Sequence, residues 1–153
     1  MMPALLRLRL ALVMLALAGS TLARAQPGQA QSLPTITLNA GMHLIRAQVA
    51  DSDGTRQTGL MHRKDMPAND GMLFVFDEAN PQCFWMRNTL LPLTIAFVAD
   101  DGTIVNLADM QPMTERSHCS AKPVRFALEM NLGWFAKRGI KAGAKLGGAA
   151  FAR

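Results

Sequence analysis

Hydrophobic and polar residues alternate along most of this chain, as they do in β-strands that bury one face. This alternation, with the turn residues between segments, predicts about seven short strands. The predicted strands cover residues 35–38, 43–50, 72–76, 83–87, 93–99, 103–107 and 124–130, and a last short strand lies within 140–146. Segment 72–76 is apolar throughout, which predicts a central strand buried on both faces. The strongest hairpin signal is Asp101-Gly102, between two β-branched runs.

Two short helices are predicted where the alternation stops. The first begins after Ser52, which can cap it, and is interrupted by Gly59. Arg56 on this helix is expected to form a salt bridge or to contact a carbonyl group. The second helix covers residues 133–138 and is closed by Gly139.

The predicted loops include a tight corner at Asp70-Gly71, a polar covering loop at 108–123 and a glycine-rich tail that frays. Because the turns are short, consecutive strands are expected to pair antiparallel. The fold class is therefore predicted as mainly β (α+β): a compact curled antiparallel sheet or small barrel of about seven short strands with two short helices. Such a small sheet leaves little room for a deep cavity, so we expect a surface cleft near Asn88.

The first 25 residues have the layout of a secretory signal peptide. Arg7 and Arg9 precede an apolar run at 10–18, and small residues precede an expected cut between Ala25 and Gln26. The run is short for a bilayer span, so we expect a periplasmic or secreted protein with no membrane attachment after cleavage. Residues 26–33 are predicted as a disordered leader and 34–153 as a single domain, expected to be monomeric.

The basic charge of the chain comes mostly from this N-terminal segment. Cleavage removes three arginines and no acidic residue, so 16 basic residues become 13 against 11 acidic ones, and the net charge falls from +5 to +2. A charge this small gives no electrostatic case for nucleic acid as a partner.

Two cysteines, Cys83 and Cys119, remain in the mature chain. An even count in an exported protein favours a disulfide, which would stabilise the fold by about 4 kcal/mol on the chain-entropy model. Two alternatives stay open. The pair could be free thiols, or Cys119 could be a catalytic thiol beside His118.

The candidate functional site is the segment 83–93, where aromatic, basic and amide side chains crowd together. In a strand, Trp85 and Arg87 would share the face opposite to Phe84 and Met86. An indole can stack on a ring while a guanidinium and an amide bind polar edges, which predicts a binding shelf. The expected ligand-binding residues are Arg56, Trp85, Arg87, Asn88, Thr89 and Glu129. In the structural alternative, Trp85 packs under the long loop and Asn88 bonds the backbone of its own turn.

Four blocks of this sequence match the pattern of one family. They are Arg56-Gln-Thr-Gly59-Leu60-Met61-His-Arg63, Gly71-Met72-Leu73-Phe74-Val-Phe76, Phe84-Trp85-Met86-Arg87-Asn88-Thr89-Leu-Leu-Pro92-Leu93, and Ala127-Leu128-Glu129 with Gly133. Through these blocks the chain, from about residue 35 to 147, closely resembles the family catalogued as domain of unknown function 192. The resemblance implies a small, mainly β exported domain without an established biochemical role. The family usually has Asp where this chain has Thr94, so no role of that carboxylate carries over.

The function predicted from these observations is a non-catalytic binding or interaction module for a small molecule, glycan or peptide, without a cofactor. The first alternative is a periplasmic hydrolase-like enzyme, although no spacing matches a triad or a carboxylate pair. Glu129 is instead expected on the polar face of its strand, paired with Arg56 or Arg87. The second alternative is a Cu(I)-handling protein that uses Met110, Met113 and His118 as soft ligands.

Overall fold

β-strands dominate residues 28–152, which are the residues that this computed structural model describes. The predicted signal peptide at 1–25 lies outside them. The described part contains nine strands and one α-helix. In chain order they are β1 (Thr35–Ala40), β2 (His43–Ala50), α1 (Asp53–Thr58), β3 (Asp70–Asn80), β4 (Cys83–Phe84), β5 (Leu93–Val98), β6 (Ile104–Met110), β7 (His118–Cys119), β8 (Val124–Asn131) and β9 (Leu146–Gly147).

Seven of these described strands form one curled sheet, a half-barrel, in the order β6-β5-β8-β3-β2-β1-β9. The other two, β4 and β7, form a separate antiparallel ribbon. The predicted mainly β, curled architecture is confirmed. The expectation of antiparallel pairing throughout is wrong at β2 and β3, which run parallel. The connection through α1 and the loop after it brings the chain back to the end where β2 began, so β3 starts in the same direction.

The two edges of the half-barrel meet at one end. β9 pairs with β1 at one edge, and the residues just before it bond to the start of β6 at the other edge. The amide of Ile104 donates to the carbonyl of Ala144, and the amide of Leu146 donates to the carbonyl of Gly102, both at 2.8 Å. Gly102 has a φ of +84°, and a Cβ at this position would lie 2.3 Å from the Leu146 carbonyl oxygen. Glycine is therefore required for this closure.

Buried side chains form two clusters on opposite faces of the sheet, as the alternation along each strand requires. The first cluster includes Leu38, Leu73, Phe126, Leu128 and Trp134. The second cluster includes Met72, Phe74, Met86, Ile95 and Phe97. Because β3 contributes to both clusters and is the fourth strand of seven, the prediction of a central strand buried on both faces is confirmed.

The second predicted helix is wrong. Residues 28–152 contain one α-helix, and the segment 133–138 is a series of turns that ends in a 3₁₀ helix at Ala136–Arg138. Gly133 has a φ of +74°, which a right-handed helix does not accept, so only a short segment remains before Gly139. The first predicted helix is confirmed: the Ser52 hydroxyl accepts a hydrogen bond from the amide of Thr55 at 3.3 Å.

Several predicted boundaries also change. Asp70-Gly71 is not a corner but the start of β3, where Asp70 faces its partner Arg46 and accepts a hydrogen bond from its Nε at 3.1 Å. Residues 108–110 belong to β6 and not to the covering loop. The predicted frayed tail is wrong as well. Phe151 is buried and lies edge-to-face against Phe126, with the ring centroids 5.1 Å apart.

Among residues 28–152, no helix combines the length and the hydrophobicity that crossing a membrane requires.

Candidate functional site

The predicted disulfide between Cys83 and Cys119 is confirmed. The two cysteines are opposite each other in β4 and β7, with their Cα atoms 4.1 Å apart. Backbone bonds extend this contact, because the amide of Met86 donates to the carbonyl of Thr114 at 2.8 Å. The segment that carries Trp85 is therefore fixed to β7 and to the loop between β6 and β7. It was predicted as a strand through residue 87 that returns beside β3, but it leaves the strand after Phe84.

A cleft of about 340 Å³ lies between α1, the turn that follows it, β3 and the segment after β4. Four of the six predicted ligand-binding residues line it: Arg56, Trp85, Thr89 and Glu129. Aromatic side chains form much of the wall, with Phe74 and Phe76 from β3 beside Phe84 and Trp85. The expectation of a surface cleft near the Asn88 turn agrees with the structure in position, although the walls of the cleft include Phe74 and Phe76 from the predicted buried strand 72–76.

Glu129 is a buried polar residue in the wall of this cleft. Only 4% of the residue is exposed, and its strand neighbours are Met72 on β3 and Ile95 on β5. Among residues 28–152, no hydrogen bond or salt bridge involves its carboxyl, and burial is the cause of its pKa shift. In this part of the chain, the fully enclosed side-chain atoms without a partner are Nε of Arg63 and Nε of Arg125, so the carboxyl oxygens of Glu129 still reach the cleft. Burial raises the pKa of the Glu129 carboxyl from 4.5 to about 8. The group is therefore mostly protonated at neutral pH, and it can donate a hydrogen bond into the cleft.

The expectation that Glu129 pairs with Arg56 or Arg87 on a polar strand face is wrong. β8 lies between β5 and β3 in the sheet, and side chains cover both of its faces. A strand in this position has no solvated face, so the polar residue is buried with its apolar neighbours.

Arg56 lies at the charged side of the cleft, and its guanidinium makes three hydrogen bonds. It donates to the carbonyl of Asp51 at 2.8 Å, to the carbonyl of Val75 at 2.7 Å and to the carboxylate of Asp53 at 2.5 Å. It also lies over the ring of Phe76, 5.2 Å from the centroid. The predicted salt bridge and carbonyl contact of Arg56 are both confirmed, and they hold α1 against β3.

The other two predicted residues do not line the cleft. Arg87 is exposed, and its Nε lies 3.6 Å from a carboxylate oxygen of Glu115. Asn88 has a φ of +54° in a turn, and its carbonyl accepts a hydrogen bond from the amide of His62 at 2.9 Å. The indole, guanidinium and carboxamide of this segment are therefore not gathered at one place.

The residues of the copper alternative are not brought together at an exposed point. Met110 is fully buried in the second cluster, whereas Met113 is largely exposed. Burial and the nearby Arg116 lower the pKa of His118. Within residues 28–152 there is also no group of three His, Cys, Asp or Glu side chains that could hold a metal ion.

Thr94, where the family pattern usually has Asp, lies opposite Asp109 on β6. Its hydroxyl donates to the Asp109 carboxylate at 2.6 Å and accepts a hydrogen bond from the amide of Gly133 at 2.9 Å. A carboxylate therefore lies beside residue 94 in this chain as well, but it belongs to Asp109 on β6. This pair does not line the cleft of Glu129.

Sequence reasoning missed Leu60, Met61, Phe74 and Phe76 as lining residues of the cleft. All four lie in the sequence blocks that carry the family resemblance, which would have been a usable signal. Three of those blocks meet at the cleft, together with Glu129 from the fourth. The blocks are separated along the chain, so their meeting follows from the sheet order and not from local spacing.

Comparisons with known proteins agree with this fold. The chain resembles a crystal structure from Sinorhizobium meliloti 1021, described as "a putative transcription regulator", with 34% identity and a TM-score of 0.75 over 80% of this chain and 99% of that one. It also resembles a protein of unknown function from Novosphingobium aromaticivorans DSM 12444, with 33% identity and a TM-score of 0.72 over 76% of this chain and 86% of that one. No curated protein matches significantly. The family model described as "Uncharacterized ACR, COG1430" matches residues 35–148, and the chain therefore belongs to this family, domain of unknown function 192.

Proposed function

We propose that this chain is an exported, non-catalytic binding module that holds a small molecule, glycan or peptide in the cleft beside Trp85. The observation that carries this proposal is the unpaired, buried carboxyl of Glu129 in the cleft wall. Removing a carboxyl from most of its water without a partner costs free energy, and no described side chain pairs with Glu129. Such a group in a cleft is a common mark of a functional site, because a ligand can supply the missing partner.

The walls of the cleft suit binding. Trp85 is 51% exposed, so one part of its indole is free to contact a ligand. The aromatic side chains of Phe76 and Phe84 add apolar surface, and the protonated Glu129 adds a hydrogen-bond donor. Apolar walls with a few converging polar groups are typical of small-ligand sites.

The kinds of side chain that line the cleft support a binding role over the enzyme alternative, since Arg56 and Asp53 are engaged with each other. Among the described lining residues there is neither a histidine nor a free cysteine, because Cys83 is in the disulfide. The hydroxyl of Thr89 donates to the carbonyl of Arg87 at 3.3 Å and is itself buried. A hydrolase-like enzyme remains the second candidate, because a carboxyl with a raised pKa can act as a general acid.

Export to the periplasm or the exterior is part of the proposal. It is supported by the signal-peptide layout of residues 1–25. The disulfide between Cys83 and Cys119 supports it as well, since such bonds persist in oxidising compartments.

The proposed function can be tested by screening soluble fragments, including sugars, short peptides and charged and neutral aromatics, by NMR of the ¹⁵N-labelled mature protein. We expect chemical-shift changes at the amides of Leu60, Trp85 and Glu129. Trp85→Ala should weaken binding of any hit. Leu90→Ala is the matched control, because Leu90 is 46% exposed in the same segment and does not line the cleft. A screen in which all of these classes leave the cleft amides unchanged would remove the proposal.

A further inference from the structure

The rings in the cleft wall are arranged so that they can receive a positive charge. The ring of Phe84 lies edge-to-face against that of Phe74 at 4.9 Å and against that of Phe76 at 6.3 Å. Ring faces attract cations within about 6 Å of the centroid. One ring of the wall already contacts a cation, since the guanidinium of Arg56 lies 5.2 Å from the centroid of the Phe76 ring. The half-exposed indole of Trp85 is a further face of this kind.

Glu129 can supply a negative charge to the same cleft. Its carboxyl is unpaired among the described residues and is kept neutral by burial, so an adjacent cation would stabilise the ionised form. The strands packed against Glu129 supply no cation to its carboxyl. β5 carries no titratable side chain, and on β3 Asp70 pairs with Arg46 while Asp77 and Glu78 are on the outer part of the strand.

The charge balance in the cleft favours a cation over an anion. Arg56 and Asp53 both line the cleft and form a salt bridge with each other at 2.5 Å, so their charges cancel. A bound cation beside an ionised Glu129 leaves the site neutral. A bound anion beside a protonated Glu129 leaves one uncompensated negative charge in a partly buried space, which is costly.

We infer that the ligand of this cleft is a small organic cation, an amine or a quaternary ammonium compound, bound between the carboxylate of Glu129 and the rings of Phe84 and Trp85. The inference rests on the proposed function and adds the chemical class of the ligand.

Binding of such a ligand is coupled to loss of a proton. Below a pH of about 8, each cation that binds displaces one proton from the Glu129 carboxyl to the buffer. The observed affinity should therefore rise about tenfold per pH unit between about pH 6 and 7 and level off above about pH 8.5. A neutral ligand that accepts a hydrogen bond from the protonated carboxyl gives the opposite trend, since its affinity falls above pH 8.

The test uses isothermal titration calorimetry of the mature protein with three probes of similar size: benzyltrimethylammonium, benzyl alcohol and benzoate. We expect the cation to bind at least about tenfold more tightly than the other two at pH 8. Its binding enthalpy below pH 8 should depend on the ionisation enthalpy of the buffer, because a proton is released. Glu129→Gln should lower the affinity for the cation about tenfold or more and leave that for benzyl alcohol unchanged.

Glu115→Gln is the control for a lost carboxylate, because Glu115 is exposed outside the cleft. If it weakens cation binding as much as Glu129→Gln does, general surface charge is responsible and the inference fails. If benzoate or benzyl alcohol binds at the cleft as tightly as the cation, the ligand class is wrong while the binding function stands. If the cleft amides respond to none of the fragments in the NMR screen, the proposed function itself fails.

Discussion

Replacing Glu129 by Gln should change how the stability of the protein depends on pH. In the folded chain, burial raises the pKa of the Glu129 carboxyl from 4.5 to about 8, whereas the unfolded chain leaves the group solvated at its ordinary pKa. Between these two values the folded state holds a proton that the unfolded state has lost. The contribution of this group to the free energy of unfolding is thus fully present below pH 4.5 and is lost progressively as the pH rises through about 8.

The magnitude follows from the difference between the two pKa values. Each pKa unit corresponds to about 1.4 kcal/mol, so the difference between 4.5 and about 8 corresponds to on the order of 5 kcal/mol in the free energy of unfolding. Gln has nearly the shape of the protonated carboxyl and does not titrate. The stability of Glu129→Gln, measured relative to the native sequence, should therefore increase by roughly 3 kcal/mol between about pH 4 and about pH 7.

Urea unfolding followed by tryptophan fluorescence at several pH values, with the disulfide intact, measures this difference. The difference between the two chains isolates Glu129, because all other titrating groups are shared. Glu115→Gln, at an exposed site, should show a flat difference over the same range. A difference between Glu129→Gln and the native sequence that stays constant from about pH 5 to about pH 8 would show that this carboxyl is not held neutral, and it would refute the reasoning.

Two further predictions concern the fold. Gly102→Ala should lower the free energy of unfolding by on the order of 3 kcal/mol, because its Cβ would lie 2.3 Å from the Leu146 carbonyl oxygen. Gly143→Ala, also at positive φ but with open space around it, should cost only about 1 kcal/mol, and equal losses in urea unfolding would contradict this account. Ellman titration of the unfolded, unreduced mature protein should find no free thiol. The double variant Cys83→Ser/Cys119→Ser should be about 4 kcal/mol less stable on the chain-entropy model, and unchanged stability would argue against this role of the bond.

The sequence predicted well those features that depend on neighbouring residues. The alternation of residues 43–50 was sufficient to give the bounds of β2, and Ser52 indicated the start of α1. The pairing of the two cysteines followed from their number and from the expected export. Arg56 had few possible partners because it is on a short helix that also carries Asp53, three residues earlier. Each of these predictions needed only local chemistry or counting.

The site was harder to predict because it depends on the order of the strands. Glu129 alternates with apolar residues as an exposed residue would, but β8 is inserted between β5 and β3, so both of its faces are covered. Phe74 and Phe76 belong to an apolar run that indicated a core strand, and the cleft opens over them. Neither fact can be obtained from the spacing of residues along one segment.

The closure of the half-barrel at β9 has a consequence for how the sheet can open. β9 pairs with β1, and the residues just before it bond to the start of β6, so one segment satisfies backbone groups of both edge strands. Release of this segment would leave both edges unpaired at once and would separate Phe151 from Phe126. We therefore expect the amides of Ile104 and Leu146 to exchange with solvent deuterium together, in one cooperative opening.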